Sequence, residues 1–206
     1  MVAVHHAVGM KHLCALFLKP ILLAGVCAFL NHASAAESKW EPLFNGKDLR
    51  GWVPMHDVAF VVTNGNLRLL RGMGWLRSEK QYKDFILEVE WRALVPGYDS
   101  GFFVRAGLEG KPWPNEVWQV NLQRAALGGL VKGNKTIVPA ETSPMPLNQW
   151  VKFRIEVRGN KMTLDVNGDR AWEFAHLDAT EGYIGIQAEE KAFDFRNIQL
   201  QELTAK

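Results

Sequence analysis

The chain reads as an all-β protein, an antiparallel β-sandwich of the jelly-roll kind, on three observations. Apolar and polar residues alternate with a period of two in segment after segment, as in Val151, Phe153, Ile155 and Val157 against Lys152, Arg154, Glu156 and Arg158. Turn signals such as Asn45-Gly46, Asn64-Gly65 and Asn167-Gly168 separate these segments at short intervals. No long stretch beyond residue 35 carries a helical period, so strands have no crossover helices to make them parallel.

Each element follows from that pattern. Pro42 to Trp52 opens the domain with an Asn-Gly turn between the apolar anchors Leu43, Phe44, Leu49 and Trp52. Phe60-Val61-Val62 and Leu67-Arg68-Leu69-Leu70 flank Thr63-Asn64-Gly65-Asn66 as a β-hairpin. Gly72-Met73-Gly74-Trp75 reads as a bend, and Leu76 to Lys80 as a short strand beyond it. Phe85, Leu87, Val89 and Trp91 give one apolar face, opposite Ile86, Glu88, Glu90 and Arg92. Met162, Leu164 and Val166 lead into the turn at Asn167-Gly168; Ile184 and Ile186 alternate with Gly185 and Gln187; Phe193 to Leu203 closes the sheet.

Residues 1–35 read as a cleavable export signal. They hold no acidic residue, have Lys11 and Lys19 ahead of an apolar run over 21–30, and end in Ala33-Ser34-Ala35, a small-x-small pattern. The run is short for a membrane span. The mature part, residues 36–206, is then a single domain that is secreted or periplasmic and meets the membrane only during export. Both cysteines, Cys14 and Cys27, fall in the leader, which leaves the domain no disulfide. Without Lys11 and Lys19 the basic count falls from 24 to 22, equal to the 22 acidic residues, so nothing in the charge points to nucleic acid.

Two segments carry the densest chemistry. Ser100 to Arg105 and Trp113 to Asn121 read as strands joined by a Gly/Pro-rich loop. Alternation puts Phe103 and Arg105 on one face, and Gln119 and Asn121 on one face. A polar and aromatic sheet face has to be met by solvent or by a polar ligand, and we read it as the floor of a sugar-sized groove.

Several blocks resemble one family. Leu43-Phe44-Asn45-Gly46-Lys47-Asp48-Leu49 with Gly51-Trp52, then Trp75-Leu76 with Ser78-Glu79-Lys80, Tyr82 and Asp84-Phe85, then Ser100-Gly101 with Phe103 and Arg105 follow in order. Trp150, Asn167-Gly168, Gly185-Ile186-Gln187 and Phe195-Arg196-Asn197-Ile198 complete a set that spans residues 40–203. In these the chain resembles the 3-keto-disaccharide hydrolase domain family. The resemblance implies a concanavalin A-like jelly roll with a carbohydrate groove, and cleavage of glycosides whose sugar is oxidised at carbon 3.

Such a sugar has an acidic proton at carbon 2. A base that removes it, donors for the resulting enolate and an acid for the leaving oxygen suffice for cleavage, without the carboxylate spacing of ordinary glycosidases. Glu116 and Glu189 are the candidate catalytic residues. Arg105, Gln119, Asn121, Gln187, Trp113, Trp75, Glu79 and Lys80 are the candidate substrate-binding residues. The expected partner is an oxidised di- or oligosaccharide, and no cofactor or metal is expected. Two departures from the family pattern stand out: Glu116 and Gln119 are three apart rather than two, which alternation sends to opposite faces unless a bulge intervenes. Gln187 is followed by Ala188-Glu189-Glu190 where Asp-His is common. A non-catalytic carbohydrate-binding module on the same fold is therefore the alternative, with an assembly domain a distant third.

The remaining signals are bland. Trp118 alternates with Val120 and Leu122 and is expected in the core. His56 and His176, the two histidines outside the leader and its flank, read as an exposed loop residue and a turn residue. Gly128 to Thr136 superficially resembles a phosphate loop, but Asn134 parts Gly133 from Lys135-Thr136, so a plain loop is expected. Asp165 to Asp169 lacks calcium-loop spacing and fits a hairpin turn.

Overall fold

The computed structural model describes residues 39–140 and 143–204; the leader expected over 1–35 lies outside them. The strands among the described residues are β1 (Trp40–Pro42), β2 (Trp52–Thr63), β3 (Asn66–Tyr82), β4 (Phe85–Ala93), β5 (Gly101–Ala106), β6 (Trp118–Asn121), β7 (Leu130–Lys132), β8 (Lys135–Val138), β9 (Val151–Arg158), β10 (Lys161–Val166), β11 (Asp169–Ala175), β12 (Gly182–Glu189) and β13 (Phe193–Glu202). All pairings are antiparallel, in the order β11-β10-β9-β4-β13-β3-β12-β5-β6-β7-β8, with β1 on β13 and β2 on β3.

Two sheets share β3. Its first part, Leu67 to Leu69, pairs with Phe195 to Phe193 of β13, while Met73 to Tyr82 pairs with β12. Between them the strand crosses from one sheet to the other at Gly72, whose φ is +117°. A Cβ at Gly72 would stand 2.2 Å from the Asp57 carbonyl oxygen, and one at Gly74 2.3 Å from that of Met55. Glycine is the residue that allows β2 to follow so closely. The segment Gly72 to Trp75, expected as a bend between separate strands, thus lies inside one continuous strand.

The inward faces meet as aromatic edges. Phe102 of β5 packs on Phe153 of β9 at 6.3 Å and on Phe195 of β13 at 5.8 Å, and Trp118 of β6 lies 5.3 Å from Phe174 of β11. Such pairs contribute about 0.5–1.5 kcal/mol each beyond the area they bury. Trp118 is in the core, as its alternation requires. The phosphate-loop lookalike is the β7–β8 hairpin.

The outward face of the β11-β10-β9-β4-β13 sheet is a ladder of paired charges. Lys152 binds Glu88 at 2.8 Å, Arg196 binds Glu90 at 2.7 Å, and Arg154 bridges Glu156 and Asp165. At its centre the Asp194 carboxylate has no exposed side-chain surface; Arg68 donates to both of its oxygens (2.6 and 2.9 Å), and Arg92 donates twice to Oδ2 (3.0 and 2.7 Å). Burial alone would raise its pKa, but the hydrogen bonds from Arg68 and Arg92 prevail and hold it below the ordinary 3.8. A depressed carboxylate contributes stability that is complete above its unfolded pKa and fades as acid protonates the folded form. Asp194→Asn should therefore cost about 2 kcal/mol in urea unfolding at pH 7, below the 3–5 kcal/mol of a fully buried pair because both arginines reach solvent. That cost should shrink as the pH is taken below 4.

Candidate functional site

On the other sheet the outward side chains are set by register. Arg77, Gly185, Phe103, Gln119 and Val131 lie side by side across β3, β12, β5, β6 and β7; beside them Gln187 lies opposite Trp75, and Gly101 opposite Asn121. The glycines leave room for larger neighbours. Trp75 and Phe103 meet edge-on at 5.7 Å over Gly185, where a Cβ would come within 2.6 Å of the indole. Gln119 leans over Gly101, where a Cβ would lie 2.2 Å from its amide nitrogen.

That lean completes a row of polar groups. The Gln119 Nε2 donates to Gln187 Oε1 at 2.7 Å, and Gln187 Nε2 donates to Glu189 Oε2 at 3.0 Å. Gln187 is only 5% exposed, so it acts as a relay that orients its two neighbours rather than as an open sugar contact. Ser100 fixes the strand beneath by donating to the Gln187 carbonyl at 2.7 Å. Burial, with the charge of Asp99 added, pushes the Glu189 carboxyl above the usual range, against a smaller opposing pull from Lys191. Burial likewise raises Asp99, which accepts a hydrogen bond from Gln123 Nε2 at 2.9 Å. Sequence reasoning missed Asp99. Its place just ahead of the Ser100-Gly101 pair was the one available hint.

Next to this row lies a cavity of about 390 Å³, lined by Phe103, Trp113, Glu116, Val117 and Gln119 among others. Glu116 has left-handed backbone, φ +48°, which breaks the alternation and brings it into the same cavity as Gln119. The three-residue spacing is thereby reconciled. The Trp113 indole donates to the Ala188 carbonyl at 3.2 Å, tying the loop after β5 to the strand that bears Gln187 and Glu189.

Four expected binding residues are not open to a ligand on this face. Arg105 shares no face with Phe103, because Val104 and Arg105 together oppose the single Ile184 in a β-bulge, with Arg105 at φ +50°. Its side chain, 1% exposed, is spent on the carbonyls of Lys83, Gly159 and Ala179 and on Asp84 at 2.9 Å. Trp75 is 1% exposed and lies under its neighbours, with no face open for a sugar. Glu79 and Lys80 belong to a second bulge, where Ser78 to Lys80 oppose Ile184; they are exposed and lie four and five residues along β3 from Trp75, about 13 and about 16 Å of strand. Asn121 stays on the outward face, but its side chain accepts from the Gln123 backbone N–H at 2.9 Å as a turn brace. His56 is exposed within β2, and His176 is exposed beyond β11.

A cavity of about 420 Å³ on the charge-ladder sheet, at Glu88, Glu90, Lys152 and Asn197, is the competing candidate. Its carboxylates are already held: Glu88 by Lys152 and Gln199, Glu90 by Arg196 and Asn197. A ligand there would have to displace partners. Glu189, by contrast, receives one side-chain hydrogen bond, from Gln187, and has no ion-pair partner among the described residues. Among the described residues no group of three or more His, Cys, Asp and Glu is placed to hold a metal ion.

The strand order defines the class: an antiparallel β-sandwich with the fold of galectin-like and glucanase jelly rolls. The chain belongs to the family of the 3-keto-alpha-glucoside-1,2-lyase-like domain, whose model matches residues 39–201. Solved structures agree in fold. A protein from Parabacteroides distasonis ATCC 8503 assigned as a glycosyl hydrolase superposes with TM-score 0.68 at 20% identity, over 82% of this chain and 95% of that one. The carbohydrate-binding module CBM66 from Bacillus subtilis gives 0.64 at 15%, over 74% and 96%, and the Bacillus licheniformis β-glucanase 0.55 at 16%, over 82% and 100%. No curated protein matches.

Two substitutions separate site from scaffold. Gly101→Ala should force the whole Gln119 side chain to swing off Gln187, because a Cβ there would meet Nε2 at 2.2 Å and both Cδ and Cγ at 2.7 Å; calorimetry with a candidate sugar should show a loss of affinity larger than the accompanying drop in melting temperature accounts for. Arg105→Ala should do the reverse, costing about 3–5 kcal/mol by leaving the Lys83, Gly159 and Ala179 carbonyls without their donor and Asp84 with only the Gly159 N–H.

Proposed function

We propose that the protein is an exported hydrolase of the elimination–hydration type, acting on 3-keto-glycosides from a concanavalin A-like sheet face. The observation that carries this reading is the Gln119–Gln187–Glu189 row, which ends in a carboxylate that burial and Asp99 hold above its usual pKa. A carboxylate with a raised pKa is the stronger base, and the amide row fixes its direction.

In the proposed reaction Glu189 takes the proton from carbon 2, and that bond's electron pair becomes the enolate of the carbon 3 ketone. The enolate forms the carbon 1–carbon 2 double bond as the glycosidic bond breaks, and the leaving oxygen takes a proton. Water then adds its hydroxyl to carbon 1 and a proton returns to carbon 2, so the sum is hydrolysis with no redox partner. Arg105 has no part, because its guanidinium is occupied in the scaffold.

The second reading, a carbohydrate-binding module without turnover, is favoured by one observation. Ala188-Glu189-Glu190 follows Gln187, and neither described histidine outside the leader flank reaches the row. Incubation with a 3-keto disaccharide separates the two by the release of free sugar. Under the first reading Glu189→Gln lowers turnover about 10²–10⁴-fold. The wild-type activity should fall on acidification at a pH above the ordinary carboxylate range, since Glu189 must be ionised to act. Asp99→Asn removes a charge that raises the Glu189 pKa, so it should move this limb to lower pH. Binding without release in the wild type would establish the module instead.

A further inference from the structure

The cavity beside the row has features that the reacting sugar does not need. Its lining combines a packed apolar group, Phe103, Trp113 and Val117, with Lys111 and Glu116, which bring opposite charges. The balance disfavours an anionic or cationic guest and suits a neutral ring with one apolar face and an edge of hydroxyls. Glu116 is held there by a left-handed backbone that a non-glycine residue adopts at a cost, and its carboxylate borders Gly133, where a Cβ would lie 3.1 Å from Oε1. Gln119 lines the cavity and also begins the polar row, so the two compartments meet at one side chain. The Trp113 tether to Ala188 holds the cavity wall beside Glu189.

We propose that this cavity is the subsite for the leaving group, that it selects a pyranose with neighbouring hydroxyls, and that Glu116 is its specificity-determining acceptor. The inference rests on the reading that the reacting ring lies on the Gln119–Gln187–Glu189 row. A carboxylate accepts two hydroxyl protons at once, which a methyl or simple alkyl leaving group cannot supply. Glu116 is exposed, so its replacement leaves the core untouched.

Calorimetry on Glu189→Gln protein with 3-keto-maltose and with methyl 3-keto-α-glucoside tests this, and the wild type serves in its place if it proves inert. The disaccharide should bind at least tenfold more tightly. Adding Glu116→Ala should erase that difference and leave the methyl glycoside unchanged, while Glu116→Gln, which keeps one acceptor oxygen, should restore part of it. Equal weakening of both ligands would place Glu116 at the reacting ring and overturn the proposal. Equal affinity of the two ligands before any change at Glu116, or no binding of either, would overturn it too. Loss of turnover in the wild type with the disaccharide preference intact would count against the elimination reaction and not against the subsite.

Discussion

The structure depends on one strand belonging to two sheets. β3 gives its first residues to β13 and its last to β12, and only the crossing at Gly72 and Gly74 lets the backbone ladder continue without a break. A side chain at either glycine would strike the β2 carbonyls, so β2 could no longer follow the turn. The consequence reaches the site. Glu190, just past the end of β12, donates its backbone N–H to the Gly72 carbonyl at 3.0 Å, and Glu189 lies opposite Met73. The carboxylate end of the polar row is thus anchored beside the crossing.

The two outward faces resolve the same problem in opposite ways. Both carry polar groups on a sheet whose other side is hydrocarbon. On β4, β9, β10 and β13 the carboxylates of Glu88, Glu90, Glu156, Asp165 and Asp194 each contact a cation, and the Arg92 and Arg196 guanidiniums both lie over the Trp150 ring, at 4.5 and 3.9 Å. That surface is complete in itself and can contribute to stability at the modest level of cross-strand pairs. On β12, β5 and β6 the groups are amides and acids, with few cations to neutralise them. Partial burial pushes carboxyl pKa values up on both faces; for Glu90 the hydrogen bonds from Asn197 and Arg196 overcome it, while for Glu189 the charge of Asp99 adds to it.

Glycine spacing decides what the second face can hold. Gly185 admits the Trp75–Phe103 pair and Gly101 admits the Gln119 amide, so aromatic and polar groups lie on one surface without competing for volume. Trp75, which has the look of a sugar platform, is used to floor the site. Trp113, on a loop and bound through its N–H to β12, is the aromatic that remains near the opening.

How much of this was legible beforehand follows from the range of the interactions. Period-two alternation is a local property of the backbone, so the all-β class, the core positions of β4, β9 and β10, and the burial of Trp118 could be read from residue order alone. Gln119, Gln187 and Glu189 were legible for the same reason, each keeping the parity its strand predicts. Parity fails wherever a bulge inserts a residue, and bulges depend on the partner strand. Arg105 turned inward, Glu79 and Lys80 were carried off, and Glu116 was turned into the cavity by φ values that no local pattern announced. Asp99 became relevant only when β12 brought Glu189 close to it across 90 residues of chain. By itself the sequence determined which residues alternate and hence what is buried; the tertiary structure alone decided which polar groups meet, because that rests on register between strands distant in the chain.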